Sequence, residues 1–317
     1  YNGHEYRIIS MMKISKKIKL LHISDLKKEK KYNNAIIDIP GISLVSILYL
    51  RFYFGINKVF LQDSQALYFK SKITFLIKCK KIFSTNFIYS FLKMVLFFLK
   101  ELIICFFFNK IGFVSNADAS IFKIIFNKKV FVVPNGIEID NSNQINTIYK
   151  TNILKFVFWG NMNYQPNYDS FVFLLENYWP RLTDDFNIEL YVYGYSSSDL
   201  FDHTKNYSNV FLKGKFNNIN EFLFKDFYFF NFVEFGSGIK NKTLEALSNG
   251  IPMIATKHSI VGTGLEMGYK YTYSDYSDLK ESISSIKSVK KEYIIKLKNY
   301  VFSNYSWVKS TEKYLGI

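Results

Sequence analysis

The stretch Phe235-Gly236-Ser237-Gly238-Ile239-Lys240-Asn241-Lys242-Thr243-Leu244-Glu245-Ala246-Leu247-Ser248-Asn249-Gly250-Ile251-Pro252 decides how this chain is read. Two glycines and two lysines open it, a short helical pattern follows, and Asn249-Gly250 halts the helix before the apolar run to Thr256. A glycine loop that feeds a helix start is a ready anion site, because the first helical amides lack partners within the helix and the dipole is positive there. Asn241 reads as the N-cap, which would point the amides of Lys242, Thr243 and Leu244 at a phosphate. Lys240 and Lys242 add positive charge at the same mouth, and Glu245 sets a carboxylate one turn further in. The set suits a nucleoside diphosphate, with amides and lysines for the phosphates and Glu245 for ribose hydroxyls. An ordinary loop–helix–strand joint with solvated lysines has the same composition, so the stretch must be weighed with its surroundings.

Those surroundings alternate between strand and helix patterns. Upstream, Leu154 to Trp159 reads as a strand ending at Gly160-Asn161, and Ser170 to Glu176 as part of a helix. Ile188 to Tyr193, Val210 to Leu212 and Phe227 to Val233 read as further strands, Ile251 to Ala255 as the next, and Asp278 onward as helix to the end. Asp140 to Thr151 is polar and turn-rich, and is the expected linker. Before it lies a similar series. A helix is expected near residues 5–16, with strands at Ile18 to Ile23 and Ala35 to Pro40 around the charged loop Asp25 to Asn34. A helix over Ser43 to Phe54 follows, then a strand at Lys58 to Leu61 and a helix starting at Asp63-Ser64. A strand at Ile111 to Ser115, a helix start at Asn116-Ala117-Asp118 and a strand at Val130 to Val133 complete it. Strands alternating with helices mean parallel sheets covered by helices. The expected architecture is α/β, with two doubly wound domains and a helical tail. Because a strand normally precedes the first helix, an initial strand reads as missing.

Composition narrows the partners. The 317 residues are 49% hydrophobic and carry +15, from 41 basic against 26 acidic residues. Such a balance suits nucleic acid, an anionic membrane surface or an anionic small substrate. The charge is spread along the chain, Arg occurs only at 7, 51 and 181, and no nucleic-acid-binding motif appears, so nucleic acid is set aside. The N-terminal half is rich in lysine, which fits peripheral contact with a membrane. Cys79 and Cys105 lie far apart among apolar residues, and the four histidines make no zinc spacing, so a reducing cytoplasm without a metal site is expected. Phe91 to Phe108 is the most apolar run, but Lys93, Lys100 and Glu101 interrupt it on what reads as one face. A core or interfacial helix fits it better than a membrane span.

Four segments, in order, resemble one family. Val132-Val133-Pro134-Asn135-Gly136-Ile137 looks like the linker motif of the retaining glycosyltransferases of the GT-B fold, the group called glycosyltransferase family 4. Phe158-Trp159-Gly160-Asn161-Met162-Asn163-Tyr164-Gln165-Pro166-Asn167 resembles the first strand and loop of their nucleotide-binding domain. The opening stretch resembles the Gly-Ser-Gly-Ile-Lys-x-Lys-x-x-Glu-Ala element of one subgroup, and Tyr305-Ser306-Trp307 is similar to the motif heading their last helix. The N-terminal part resembles the family more loosely, through Asn2 to Arg7, Asp63-Ser64 and Val114 to Asp118.

The resemblance implies two Rossmann-like domains facing across a cleft: residues 1–140 on the acceptor side, 141–302 for the nucleotide sugar, and a crossover helix over 303–317. It implies sugar transfer with retention from a UDP- or GDP-sugar to a glycan, lipid-linked or protein-linked acceptor, with amides and lysines in place of a metal at the leaving diphosphate. Gly3, Gly160, Asn161, Ser237, Gly238, Lys240, Lys242, Thr243, Leu244 and Glu245 are the residues so implied for the donor, and His4 and Asp63 lie where related enzymes place polar groups near the reaction. Asp63 reads equally well as a helix cap. Many members carry a glutamate where this chain has Ser237, so its contacts to the donor sugar must differ. A nucleotide-sugar epimerase and a non-catalytic, nucleotide-sugar-binding partner of an active transferase are the alternatives.

Overall fold

The computed structural model describes residues 3–15, 26, 31, 32, 35–38, 42–127, 129–138, 152–195, 198–216, 219–222 and 226–316. The expected strand Ile18 to Ile23, most of the loop to Asn34 and the linker Asp140 to Thr151 fall outside them. The chain forms two compact units, Tyr1–Glu138 with Gly236–Ile239 and Tyr305–Ile317, and Ile139–Phe235 with Lys240–Asn304.

The first unit begins α1 (Gly3–Ile14), β1 (Ile36–Ile37), α2 (Leu44–Phe54), β2 (Lys58–Gln62) and α3 (Gln65–Lys78). It continues α4 (Thr85–Phe107), β3 (Lys110–Phe113), α5 (Asn116–Phe126) and β4 (Val130–Val132). Its four strands are all parallel, in the order β1-β2-β3-β4. Serine starts four of these helices: Ser43, Ser64, Ser84 and Ser115 each accept the amide three residues on. Each such cap contributes about 1 kcal/mol. Ser64, not Asp63, therefore caps α3.

The second unit runs β5 (Leu154–Trp159), α6 (Gln165–Asn177), α7 (Trp179–Asp185), β6 (Ile188–Tyr193), α8 (Ser198–Thr204) and β7 (Val210–Gly214). Then come β8 (Phe227–Asn231), α9 (Asn241–Ser248), β9 (Met253–Thr256), β10 (Thr272–Tyr273), α10 (Tyr276–Ile286) and α11 (Lys291–Asn304). Its parallel sheet has the order β10-β9-β8-β5-β6-β7. Read from β5 outward, this is the doubly wound order, with its reversal between β5 and β8. Phe156, Phe158, Phe229 and Phe230 of those two strands are fully buried, and Phe158 stacks on Phe229 and Phe232. The phenylalanine-rich composition is thus a core in which rings fill the space between sheet and helices.

The C-terminal region, helical in pattern from Asp278 onward, is three helices, the last starting directly after the Tyr305-Ser306 pair of the quoted motif. Asp275 caps α10, and Ser306 caps α12 (Trp307–Leu315) after a break at Tyr305. α12 belongs to the first unit, where Trp307 and Tyr314 join Met11, Phe60, Val114 and Val133 in one apolar cluster. Two of the sequence motifs meet there. The Ile137 amide donates to the Tyr305 carbonyl at 2.8 Å, and Ile137 bridges Ser306. A β-carbon on Gly136 would lie 2.4 Å from the Trp307 ring and 2.6 Å from its Cα, so only glycine fits. Because backbone cannot swing aside as a side chain can, Gly136→Ala is expected to destabilise the fold by about 2–4 kcal/mol. Urea unfolding checks this, and an unchanged midpoint would show that α12 can shift.

α4 corrects the expectation that Lys93, Lys100 and Glu101 share a face. Lys93 lies over Tyr89 and Phe97, and Lys100 reaches the Ile42 carbonyl. Glu101 turns inward at 4% exposure, accepting from the Ser64 hydroxyl at 2.8 Å, the Gln65 amide at 2.6 Å and the Ala66 amide at 3.3 Å. A carboxylate thus sits at the positive end of α3. Burial nevertheless prevails over these hydrogen bonds and raises its pKa to about 7, with nearby Asp118 adding to the rise. A carboxyl whose folded pKa exceeds its unfolded one gives stability that is full below about 4.5 and lost as pH rises through about 7. Wild type is expected to lose up to about 3 kcal/mol between those limits that Glu101→Gln does not lose. Denaturant unfolding of both proteins on either side of the window measures it, and parallel curves would refute it. Among the described residues, no helix is long and apolar enough to cross a membrane.

Candidate functional site

In open α/β sheets, ligands bind beyond the carboxyl ends of the strands where the strand order reverses. In the second unit that place is where β5 and β8 end. β5 runs out at Trp159 into Gly160-Asn161, and β8 leads, through the glycine loop, to α9. The start of α9 is fixed by a buried polar network. Asn231 Nδ2 donates to the Thr243 hydroxyl at 2.8 Å, and that hydroxyl donates to the Ser259 carbonyl at 2.8 Å. The Ser259 hydroxyl in turn donates to the Val233 carbonyl at 2.9 Å. Thr243 and Leu244 are therefore fully buried, and the Thr243 amide donates to the Lys240 carbonyl at 2.8 Å. Lys240, rather than Asn241, is the N-cap residue, and it makes no side-chain cap.

Lys242 is held from three sides. Its ammonium donates to Asn167 Oδ1 at 2.8 Å and lies 4.3 Å from the centre of the Phe158 ring. Asn167 is itself fixed, donating to the Asn161 carbonyl at 2.7 Å. A β-carbon on Gly160 would fall 2.9 Å from the Lys242 Nζ and 3.0 Å from the Asn167 amide nitrogen. A side chain at this position would have to displace the Lys242 ammonium or the Asn167 amide from where they stand. Burial pushes the Lys242 pKa down to about 7, neighbouring Lys240 pushes the same way, and Glu245 opposes both. A desolvated ammonium that lacks a full counter-charge is poised to gain from an arriving anion.

One turn on, Glu245 Oε2 accepts the indole N–H of Trp159 at 3.1 Å. Burial raises the Glu245 pKa, against the lowering effects of Trp159 and Lys242. Trp159 is locked between Phe222 and Phe229, so the carboxylate has a rigid support. Sequence reading named Gly160, Asn161, Lys242 and Glu245, and the fold brings these four to one end of the sheet. It passed over Asn167 and Trp159, both present in the quoted motif, because nothing in the sequence pairs them with α9.

Ser237 and Gly238 belong to the first unit. Gly238 has φ +69°, and a β-carbon there would lie 2.1 Å from Asp63 Oδ1, so the Asp63 carboxylate rests directly on this glycine. The Gly238 amide donates to Asp118 Oδ1 at 3.3 Å, and Asp118 also takes the Ser64 amide at 3.0 Å and the Ser115 hydroxyl. The Ser71 hydroxyl exchanges bonds with the Gly236 backbone at 2.9 and 3.0 Å. Asp63 thus sits with Gly238, one of the residues expected at the donor. Gly3 and His4 are the first two residues of α1, and the His4 side chain lies outside the described part. Among the described residues, no three His, Cys, Asp or Glu side chains gather as metal ligands.

Three solved structures share this fold. TarM matches with a TM-score of 0.61 at 14% identity, over 97% of this chain and 57% of that one. The lipopolysaccharide outer core galactosyltransferase WaaB matches with a TM-score of 0.55 at 13% identity, over 99% and 80%. A trehalose-6-phosphate synthase studied for glycosyl transfer with retention matches with a TM-score of 0.51 at 10% identity, over 83% and 68%. The chain thus spans little more than half the length of TarM. The fold is that of the GT-B glycosyltransferases. Residues 154–287, most of the second unit, match the family described as Glycosyl transferases group 1. A comparison with curated protein sequences found no match.

Proposed function

We propose that this chain transfers a sugar, with retention, from a UDP- or GDP-sugar to a glycan, lipid-linked or protein-linked acceptor. The reaction serves the building of a surface polysaccharide or glycoconjugate. The observation that carries the reading is the Lys242 ammonium, held by Asn167 and Phe158 beside the start of α9. Lys242, with Lys240, neutralises the diphosphate as it leaves, and Glu245 takes the ribose hydroxyls, so no metal is needed. Ser237, Gly238 and the backbone at the start of α9 line the diphosphate and sugar, and Asp63 and His4 supply polar groups near the reacting carbon. The group 1 family match, the retention studied in the trehalose-6-phosphate synthase and the galactosyl transfer named for WaaB support this reading.

The test is nucleoside diphosphate release from a panel of UDP- and GDP-sugars, with membranes or soluble glycans as acceptors. Release that requires Lys242 and Glu245 supports the reading. Tight donor binding without turnover under every acceptor would favour a non-catalytic partner, a reading that Ser237 in place of a carboxylate favours. We place the protein at the cytoplasmic face of a membrane, attached through its basic first unit. If vesicles of anionic lipid do not retain it at low salt, that attachment is wrong.

A further inference from the structure

α4 is apolar on its outer face as well as where it meets the core. Ser90, Glu101, Ile104 and Cys105 are buried, while Ile88, Leu92, Val95, Leu96, Leu99, Ile103 and Phe106 are exposed, Leu96 to 61% and Phe106 to 68%. On a helix advancing 100° per residue these seven fall on one stripe, about 27 Å long, that carries no charged residue. A water-facing helix has the opposite polarity, and a contiguous exposed stripe of this size marks an interaction surface. Its edges are basic. Lys80 and Lys81 are exposed at its amino end, where Phe83 stands out at 96% exposure. Lys93 and Lys100 flank it, and at the carboxyl end Arg51 donates to the Phe107 carbonyl while Phe52 packs on the Phe107 ring.

The charge decides what covers the stripe. Residues 42–138 hold thirteen Lys or Arg and four Asp or Glu. Glu101 and Asp118 among those acids are buried, and Asp63 rests against Gly238. A second copy of the chain would bring like charge against like. An anionic bilayer offers acyl chains to the stripe and opposite charge to its rim. We infer that α4 lies flat in the interface of an anionic phospholipid bilayer, its stripe inserted among the acyl chains and Phe83 with the adjacent lysines anchoring its amino end. This rests on the peripheral attachment proposed above, and makes that attachment hydrophobic as well as electrostatic.

Salt separates the two. Charge attraction alone is screened away at about 0.5 M salt, whereas inserted apolar area is not. The experiment is flotation of the full chain with phosphatidylglycerol–phosphatidylcholine vesicles and with phosphatidylcholine vesicles, at low and at high salt. Wild type is expected to float with anionic vesicles at both salts. The Leu92→Ser/Leu96→Ser double variant and, separately, Phe83→Ser should float at low salt and lose about tenfold or more of the bound-to-free ratio at high salt. These positions face outward, so circular dichroism should show unchanged folding. If wild type floats at low salt and is fully released at high salt, attachment stands and insertion of α4 is wrong. If it floats with neither lipid at low salt, both are wrong. Sedimentation showing a dimer that the double variant dissociates, in a protein that ignores vesicles, would overturn the inference in favour of self-association.

Discussion

Lys242→Met is expected to lower donor turnover by about a hundred- to a thousandfold, the effect of removing one donor aimed at developing negative charge. Methionine keeps the alkyl contact with Phe158 and loses the ammonium that Asn167 holds. Unfolding is not expected to account for the loss. A lysine whose folded pKa lies below its unfolded one contributes stability above about 10.5 that is lost as pH falls through about 7. At neutral pH the charge is therefore a cost to the fold, and Lys242→Met should be no less stable than wild type. The same shift sets a pH dependence. The ammonium that meets the diphosphate is depleted above about pH 7, so wild-type kcat/KM for the donor should fall as pH rises through that value. Nucleoside diphosphate release across this range checks it. Full turnover in the variant, or a wild-type profile flat through pH 9 (about two units above that pKa), would remove Lys242 from the chemistry.

Glu245→Ala should weaken donor binding by about ten- to a hundredfold, the worth of charge-assisted hydrogen bonds to two ribose hydroxyls. Glu245 also accepts from the Trp159 indole, so a loss of binding could arise through Trp159 instead. Trp159→Phe separates the two, because it removes the indole N–H and leaves the carboxylate in place. Titration of a non-reacting donor analogue into both variants is the measurement. A loss of less than about threefold in Trp159→Phe assigns the ribose contact to Glu245. An equal loss in both would make Glu245 a support for Trp159 and leave the ribose contact to another group.

The second unit was legible because its signals are local. Period, glycine breaks and capping residues specified β5, β6, β8 and α9 to within a residue or two, since each depends on neighbours in sequence. Short elements escaped. α7 starts at Trp179-Pro180 with no side-chain cap, and β10 is two residues long. The break at Tyr305 carries no glycine or proline, so pattern alone reads the tail as helix to the end and only the Tyr305-Ser306-Trp307 motif marks a new start; Ser306 caps that helix.

Residue types and their spacing by themselves determined the alternating α/β order, the glycine break after β5, and the placing of Lys242 and Glu245 one helical turn apart. Tertiary structure alone decided that Asn167 and Phe158 hold the Lys242 ammonium, that Trp159 supports Glu245, and that the Asp63 carboxylate rests on Gly238. Each of these contacts joins residues 75 or more positions apart, so no local periodicity encodes it. The stretch from Phe235 shows the same division. Its helix follows from sequence, while the N-cap falls on Lys240 instead of Asn241 because the Thr243 amide bonds to the Lys240 carbonyl and a buried network holds the Thr243 hydroxyl.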